Sequence, residues 1–438
     1  MKEYPYWWDT VEPGLWNHAR DTEHPAPGTR DRETVLPMRA DVVIVGAGYT
    51  GLAAARRIAH ARASVVVVER ERAGWGASSR NGGQVLTGFK LDPATLVARF
   101  GEARARELFD ISLESIVALE RLIADEAIEC DYVRSGHVQA ASKRAHFEAF
   151  REEQALLARV FDHRVEVVPA ADQRAEIGSD AYFGLMVDER SGALNPARYV
   201  DQLGAAACRA GAAIVEHARV TSVRRRGPRW IVTTGRGVID AGELLVATNG
   251  YSDQAVPWLH KRVVPIGSYI IATERLAPAD ATALLPGDRM AFDSKHFLHY
   301  YRLSRDHRLL FGGRAAFTRP TAETTRRAAE ILRKEMVSIF PSLASARVEY
   351  AWSGNVAFTR DQLPHAGRLE GAYYAGGYCG HGIALATRLG ELIARRMGGE
   401  AIDHPLFDDR FPPIPFHRGT PWLLPLAGAY YALKDWLE

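Results

Sequence analysis

The chain has 438 residues, 47% of them hydrophobic and 25% charged, a globular balance that suggests two or three domains and excludes disordered, collagenous and coiled-coil chains. Formal charge is +2, from 55 basic and 53 acidic residues; 7 of the basic ones are Lys and the other 48 are Arg, scattered and matched by acids, which argues against a nucleic-acid partner. Three cysteines without CxxC spacing exclude a disulfide framework and fit a reduced, cytoplasmic setting.

The opening MKEYPYWWDT lacks the apolar stretch of a signal peptide. Residues 420–433, the longest uncharged run near the end, fall short of the ~20 apolar residues a membrane span needs. Residues 1–38 read as an aromatic, proline-rich leader strapped across a domain surface. From Ala40 the run ADVVIVGAGYTGLAAARRIAHARASVVVVER reads strand, glycine turn, helix, strand. Its strands, 42–45 and 65–68, are continuous β-branched runs, as parallel strands covered on both faces are.

Amphipathic helices are expected at 103–127 and 143–158, with the strand-like YVRSGHVQAA between them. Asn195-Pro196 supplies an N-cap and a first-turn proline for a helix to about residue 209. Short strands follow in AIVEH, RVTSVRR, RWIVTT, GVIDA and ELLVATNGY, then in IGSYIIAT, HFLHYYRL and RLLFGG. A helix near 322–339 precedes AYYAGGYCGHGIALATRLGELIARRM, a strand that breaks into a glycine-rich turn and a long helix. Dinucleotide-type signals at both ends predict an α/β fold, α+β overall. A Rossmann-like nucleotide-binding domain (39–92 with 190–260 and 354–400) interleaves with an antiparallel-sheet substrate domain (93–189 with 261–353), and residues 401–438 form a tail.

Three segments carry the chemistry. In Gly46-Ala47-Gly48-Tyr49-Thr50-Gly51 the glycines serve the tight turn, backbone approach to a pyrophosphate, and helix–strand packing. The helix N-terminus beyond offers free N–H groups to phosphates. Glu69, 23 residues after Gly46 and next to Arg70, is placed to accept both ribose hydroxyls and would repel a 2′-phosphate. This motif alone does not separate NAD from FAD. The loop Gly74 to Gln84 (GWGASSRNGGQ) is either a turn-rich surface loop or one that wraps the pyrophosphate and lies close to a flat ring. The turn Gly376 to Ile383 again places dense glycine after a strand and before a helix, whose N-terminus would stabilise negative charge on a reduced flavin. His381 in it is a flavin contact or a turn histidine.

Together these segments resemble the FAD-dependent amine and amino-acid oxidoreductases of the D-amino-acid oxidase superfamily, with the closest likeness to the γ-glutamylputrescine oxidoreductase branch. The likeness extends over YPYWWDT, PIGSYIIATERL, YYRLSRDHRLLFGG, AWSGNVAFTRDQLPHAGRL and GYCGHGIALATRLGELIA. It implies FAD on Gly46–Gly51 with Glu69 at the ribose, and Ser78, Ser79, Asn81, Gly82, Gly83 and Gln84 along the pyrophosphate and flavin. It places Val220 at the adenine, Thr248 and Asn249 near the dinucleotide, and Gly380, His381, Gly382 and Ile383 over the ribityl chain and ring. The sequence departs from the pattern at Ser79, where Gly is expected, and at Cys379, where Ser is usual. AWSGNVAF lacks the cysteine of covalent sarcosine-type relatives, and no His lies between Gly46 and Gln84, so noncovalent FAD is expected. The oxygen-activating Lys of such oxidases has no counterpart at Leu309-Leu310-Phe311, which leaves O2 or another electron acceptor open.

The same resemblance roofs the flavin with an antiparallel sheet whose expected strand is His296 to Arg302. Alternation puts Tyr300 and Arg302 on one face. Arg302 corresponds to the carboxylate-binding Arg of amino-acid oxidases, or is a surface charge on the polar hairpin RLSRDHR. Trp352 and Tyr269 are pocket or core aromatics, and no general-base dyad stands out. The implied activity is hydride transfer from an amine or amino acid to FAD. The first substrate expected is a γ-glutamyl-polyamine-like amine; the alternative is a cyclic or N-substituted amino acid such as pipecolate, sarcosine or glycine. An NAD-dependent dehydrogenase and a flavin-binding subunit without turnover are the readings from other classes.

Overall fold

Runs of β-branched residues build the first sheet. In the computed structural model, which describes residues 1–11, 35–295, 297–313, 320–415 and 417, the strand Arg39–Val45 lies between Val65–Val68 and Gly237–Val246, parallel to both. All four residues of Val65–Val68 are buried, as a strand covered on both faces must be. Ala213–Val215 extends this sheet beyond Val65–Val68, while Ala372–Gly376 and His365–Leu369 extend it on the other side. GVIDA and ELLVATNGY, expected as two strands, are one strand, Gly237–Val246. It is continuous because its first half pairs antiparallel with Arg229–Thr234 while its second half runs parallel to Arg39–Val45.

The helices Tyr49–His60 and Gly382–Met397 pack face to face on this sheet, and there Gly390 has no room for a side chain: a Cβ would lie 2.4 Å from Thr50 O. The expected amphipathic helices appear as Glu102–Asp125 and Arg144–Phe161. Their buried residues Leu108, Ile116, Leu119 and Leu157 join the same core as Ala53 and Leu389. Residues 93–161 therefore do not belong wholly to the second unit, as the division by sequence had them.

The second sheet has eight strands in the order Val348–Phe358, Val264–Thr273, Leu309–Gly313, His299–Leu303, Met290–Asp293, His137–Ala140, Gly184–Asp188 and Glu166–Pro169. It is antiparallel except where Met290–Asp293 runs parallel to His137–Ala140. One face is covered by the helix Ala322–Ile339 through Ala328, Leu332 and Met336. The other face looks toward the first unit. The boundary expected at residue 354 falls inside the strand Val348–Phe358, which stays paired with Val264–Thr273 along its length. Residue 296 of the expected roof strand, residues 12–34 of the leader and most of the tail lie outside the described residues. Among the described residues no helix is long and apolar enough to cross a membrane.

Candidate active site

The nucleotide side of the site is built by two chain turns that only glycine can make. Gly46 leaves Arg39–Val45 at φ +102°, and a Cβ on Gly51 would lie 2.0 Å from Gly46 O, so the helix Tyr49–His60 starts directly against the strand end. That helix begins at Gly48 without a side-chain cap of its own; Ser78 Oγ, from the next loop, accepts the Tyr49 N–H at 3.1 Å. The helix Gly382–Met397 also begins uncapped, at His381. Neither first turn carries an acid, so both positive helix ends remain to be matched by a ligand. Both open on one cavity of about 630 Å³.

Around it, Glu69 Oε2 accepts the Ala47 N–H at 2.9 Å and Oε1 accepts the Glu71 N–H at 3.0 Å, which leaves each oxygen a further lone pair. Burial raises this carboxyl against those hydrogen bonds. Thr50 Oγ1 meets Tyr378 OH at 2.6 Å, and Asn249 Oδ1 accepts the Gly377 N–H at 2.8 Å, so the three glycine-rich and turn segments are knitted into one cradle. His381 Nδ1 is buried with no hydrogen-bond partner among the described residues. Burial, then the charge of Lys90 and the proximity of His137, push the His381 imidazolium down to about 3, so the ring is neutral at ordinary pH. Cys379 donates to Gly377 O at 3.2 Å and burial pushes its thiol up to about 11, which makes it an inert filler. Two unmatched helix N-termini, a carboxylate with spare lone pairs and an orphaned imidazole nitrogen suit the pyrophosphate, ribose and polar ring edge of a flavin dinucleotide.

The roof is the open face of the second sheet. Antiparallel register aligns Trp352, Ile270, Gly312, Tyr300 and Phe292, and the row continues through Gln139 to Met186. Ile270, Tyr300, Phe292, Gln139 and Met186 all line the cavity. Tyr300 lies across Gly312, where a Cβ would sit 2.3 Å from Tyr300 Cζ, and its hydroxyl reaches Ser268 Oγ at 3.0 Å. An aromatic lid is thus laid along the sheet because its cross-strand neighbour has no side chain.

Within residues 1–11, the leader is packed into the molecule rather than laid over its surface. In its described part, Tyr6, Trp7 and Trp8 are buried on a 3-10 turn, Tyr6–Thr10, among Ile270, Leu310 and Trp352. Trp8 Nε1 donates to Ser79 Oγ at 2.8 Å and Trp7 Nε1 to Asn81 O at 2.9 Å. Arg80 lies between the Trp8 and Trp75 rings, its guanidinium 4.6 and 4.3 Å from their centroids. The flavin-type loop is therefore held from behind by the first residues of the chain.

Of the residues singled out in the sequence, Gly46, Gly48, Tyr49, Thr50, Glu69, Arg70, Ser78, Asn81, Gly82, Gln84, Val220, Thr248, Tyr300, Gly380, His381, Gly382 and Ile383 line the cavity. Ala47, Gly51, Ser79 and Gly83 stand behind that wall. Arg302 is not a cavity residue. It shares the Tyr300 face, as alternation requires, but two positions further on the sheet is covered: its Nη1 donates to Gly83 O at 3.0 Å and Leu194 O at 2.9 Å, and its Nε to Leu303 O at 3.2 Å. Trp7 faces the guanidinium at 5.6 Å, and burial brings it down to about 10. It is neither a substrate-facing fork nor a solvated hairpin charge; it braces the loop. Trp352 and Tyr269 are core residues, Trp352 donating to Arg80 O at 2.8 Å.

A dyad that no sequence motif revealed also lines the cavity: His163 Nε2 and Asp188 Oδ2 are 2.8 Å apart, and both residues are buried. Burial opposes the Asp188 charge, but the bond from His163, the neighbouring His137 and the Arg190 N–H hold its carboxyl well below the usual range. Lys90, His137 and Glu153 are further cavity residues from unremarkable segments.

A family profile described as "FAD dependent oxidoreductase" (DAO) matches residues 41–396. The chain is 33% identical over 400 residues to "Gamma-glutamylputrescine oxidoreductase" of Escherichia coli, covering 90% of this chain and 92% of that one. It is 32% identical to "Probable oxidoreductase OrdL" of Rhizobium meliloti, covering 98% and 99%. Among solved structures, glycine oxidase from Geobacillus kaustophilus shares the fold with a TM-score of 0.71 at 21% identity, over 84% of this chain and 97% of that one. L-proline dehydrogenase from P. horikoshii does so with 0.70 at 18%, over 85% and 96%.

Proposed function

The chain belongs to the DAO family of FAD-dependent oxidoreductases, and from that premise we propose that it acts on CH–NH or CH–NH2 donors and that its substrate is a long primary or secondary amine of the γ-glutamylputrescine kind. FAD is the cofactor, so the NAD-dependent alternative falls away. The observation that carries the substrate reading is the continuation of the cavity along the sheet beyond Tyr300, past Phe292 and Gln139 to Met186, where a small amino acid would leave space unfilled. Arg302, expected to bind a substrate carboxylate in either reading, is engaged with backbone carbonyls and so favours neither.

Bound FAD supplies the hydride acceptor for the carbon next to the amine. Glu69 and the first turn of Tyr49–His60 would hold its ribose and pyrophosphate, and His381 with the first turn of Gly382–Met397 would face its ring. Tyr300, fixed by Ser268, closes the roof and keeps water from the reacting carbon. The imine product hydrolyses to an aldehyde or oxo acid plus amine or ammonia, with O2 or another acceptor taking up the electrons. An anaerobic screen of amines tests this: γ-glutamylated diamines are expected to bleach the flavin faster than sarcosine, glycine or pipecolate. Preferential bleaching by a small amino acid would reverse the order. The FAD is expected to leave with acid precipitation, since among the described residues no cysteine or histidine stands where relatives link it.

A further inference from the structure

We propose that the end of the cavity beyond Phe292 is a second recognition chamber, in which His163, oriented by Asp188, accepts a hydrogen bond from the far polar end of a long amine while the C–N bond to be oxidised lies under Tyr300. This rests on the amine-oxidising reading above.

The distance follows from strand register. Tyr300 pairs with Phe292, Phe292 with Gln139, and Gln139 with Met186, all on the cavity face. Three strand spacings put Met186 about 14 Å from Tyr300 across the sheet. Asp188 stands two residues further along the same strand and so on the same face.

The walls at this end suit a methylene chain. Phe109, Leu157, Val165 and Met186 line it, and His163 packs edge-on against Phe109 at 5.0 Å between centroids. The cavity also carries Lys90, His137 and Glu153, and at this end the oriented polar pair is His163 and Asp188. Asp188 Oδ2 accepts from Thr87 Oγ1 at 2.7 Å and faces His163 Nε2 at 2.8 Å, while Oδ1 accepts the Arg190 N–H at 2.8 Å. An ionised carboxylate can only accept, so in the neutral ring the proton sits on Nε2, facing Asp188, and the lone pair on Nδ1. His163 lines the cavity while its Nε2 is engaged with Asp188, so the neutral dyad has Nδ1 left to offer as an acceptor there. The ligand class that answers this is a linear amine ending in an N–H donor, neutral or cationic.

The test compares n-butylamine with γ-glutamylputrescine in anaerobic flavin reduction by the intact holoenzyme. The long amine is expected to reach half-saturation at a concentration at least tenfold lower. His163→Phe should erase that advantage, raising the half-saturation concentration of the long amine at least tenfold toward that of n-butylamine, with FAD content as in wild type. Met186→Trp, which fills the chamber without touching the dyad, should do the same and guards against a folding defect in the first variant. Equal effects on both amines, or none on either, would overturn the proposal. If neither amine bleaches the wild-type flavin, the reaction reading fails separately; the chamber then stands if the long amine perturbs the flavin spectrum of wild type but not of His163→Phe, and falls if it perturbs both or neither.

Discussion

Gly312→Ala puts a methyl group where the Tyr300 ring now lies. The added Cβ would be 2.3 Å from Tyr300 Cζ, 2.4 Å from Cε2 and 2.7 Å from the hydroxyl, so the ring rather than the backbone must move. Displacing it breaks the 3.0 Å contact with Ser268, worth about 0.5–1.5 kcal/mol, and overpacks the roof at about 1–3 kcal/mol. The expected destabilisation is about 2–4 kcal/mol, accompanied by slower flavin reduction because the roof no longer closes over the reacting carbon. A double-mutant cycle isolates the cause. In a Tyr300→Ala background the methyl group meets no ring, so Gly312→Ala should cost little there, giving a coupling energy of about 1–3 kcal/mol by denaturant unfolding. Additive effects, with coupling under about 0.5 kcal/mol, would show that Tyr300 does not depend on this glycine.

Glu69→Gln keeps the shape of the carboxyl but loses one acceptor and its charge, and should weaken FAD at least tenfold, or about 1.4 kcal/mol, by equilibrium dialysis; unchanged affinity would remove Glu69 from the ribose. Arg302→Met leaves Leu194 O without its donor and removes one of two donors from Gly83 O, which keeps the Leu194 N–H, and should lower stability by about 1–3 kcal/mol while treating carboxylated and simple amines alike in KM; selective loss of carboxylated amines would restore Arg302 to the substrate. Burial, then Asp92, pushes the Glu153 carboxyl up to about 7, so the folded state holds this proton more tightly than the unfolded one. Wild type should then lose stability as pH rises from about 4.5 to 7. Glu153→Gln should melt higher than wild type at pH 8, by at most about 3 kcal/mol, and match it at pH 4; a difference of the same size at both values would contradict this. Trp8→Phe removes the indole donor to Ser79 and should speed FAD release severalfold on dilution, with the apoprotein melting point little changed.

What the sequence made legible was whatever a short stretch decides for itself. Pro196–Arg209 begins at the asparagine–proline signal and ends where expected, because Asn195 Oδ1 accepts the N–H groups of Ala197 and Arg198 and needs nothing remote. The glycine turn at Gly46–Gly51 was equally visible, since its tightest conflict, a Cβ on Gly51 against Gly46 O, lies within six residues. The substrate side was not, because its geometry is made between segments far apart in the chain. His163 follows a helix, Asp188 ends a strand 25 residues later, and Thr87 precedes Asp188 by 101; no spacing rule relates them.

Arg302 shows the boundary between the two kinds of information. Alternation correctly put it on the Tyr300 face, a property of one strand. Whether that face still borders a cavity two residues on depends on Gly83, Leu194 and Trp7, which arrive from three other parts of the sequence and cover it. The same leader that closes the sheet there also holds Ser79 and Asn81, so the edge of the substrate site and the seat of the flavin loop are set by one buried cluster. A substitution in that cluster should therefore be felt at the cofactor first, whereas one at Met186 or His163, at the far end of the same sheet, should be felt by the substrate alone.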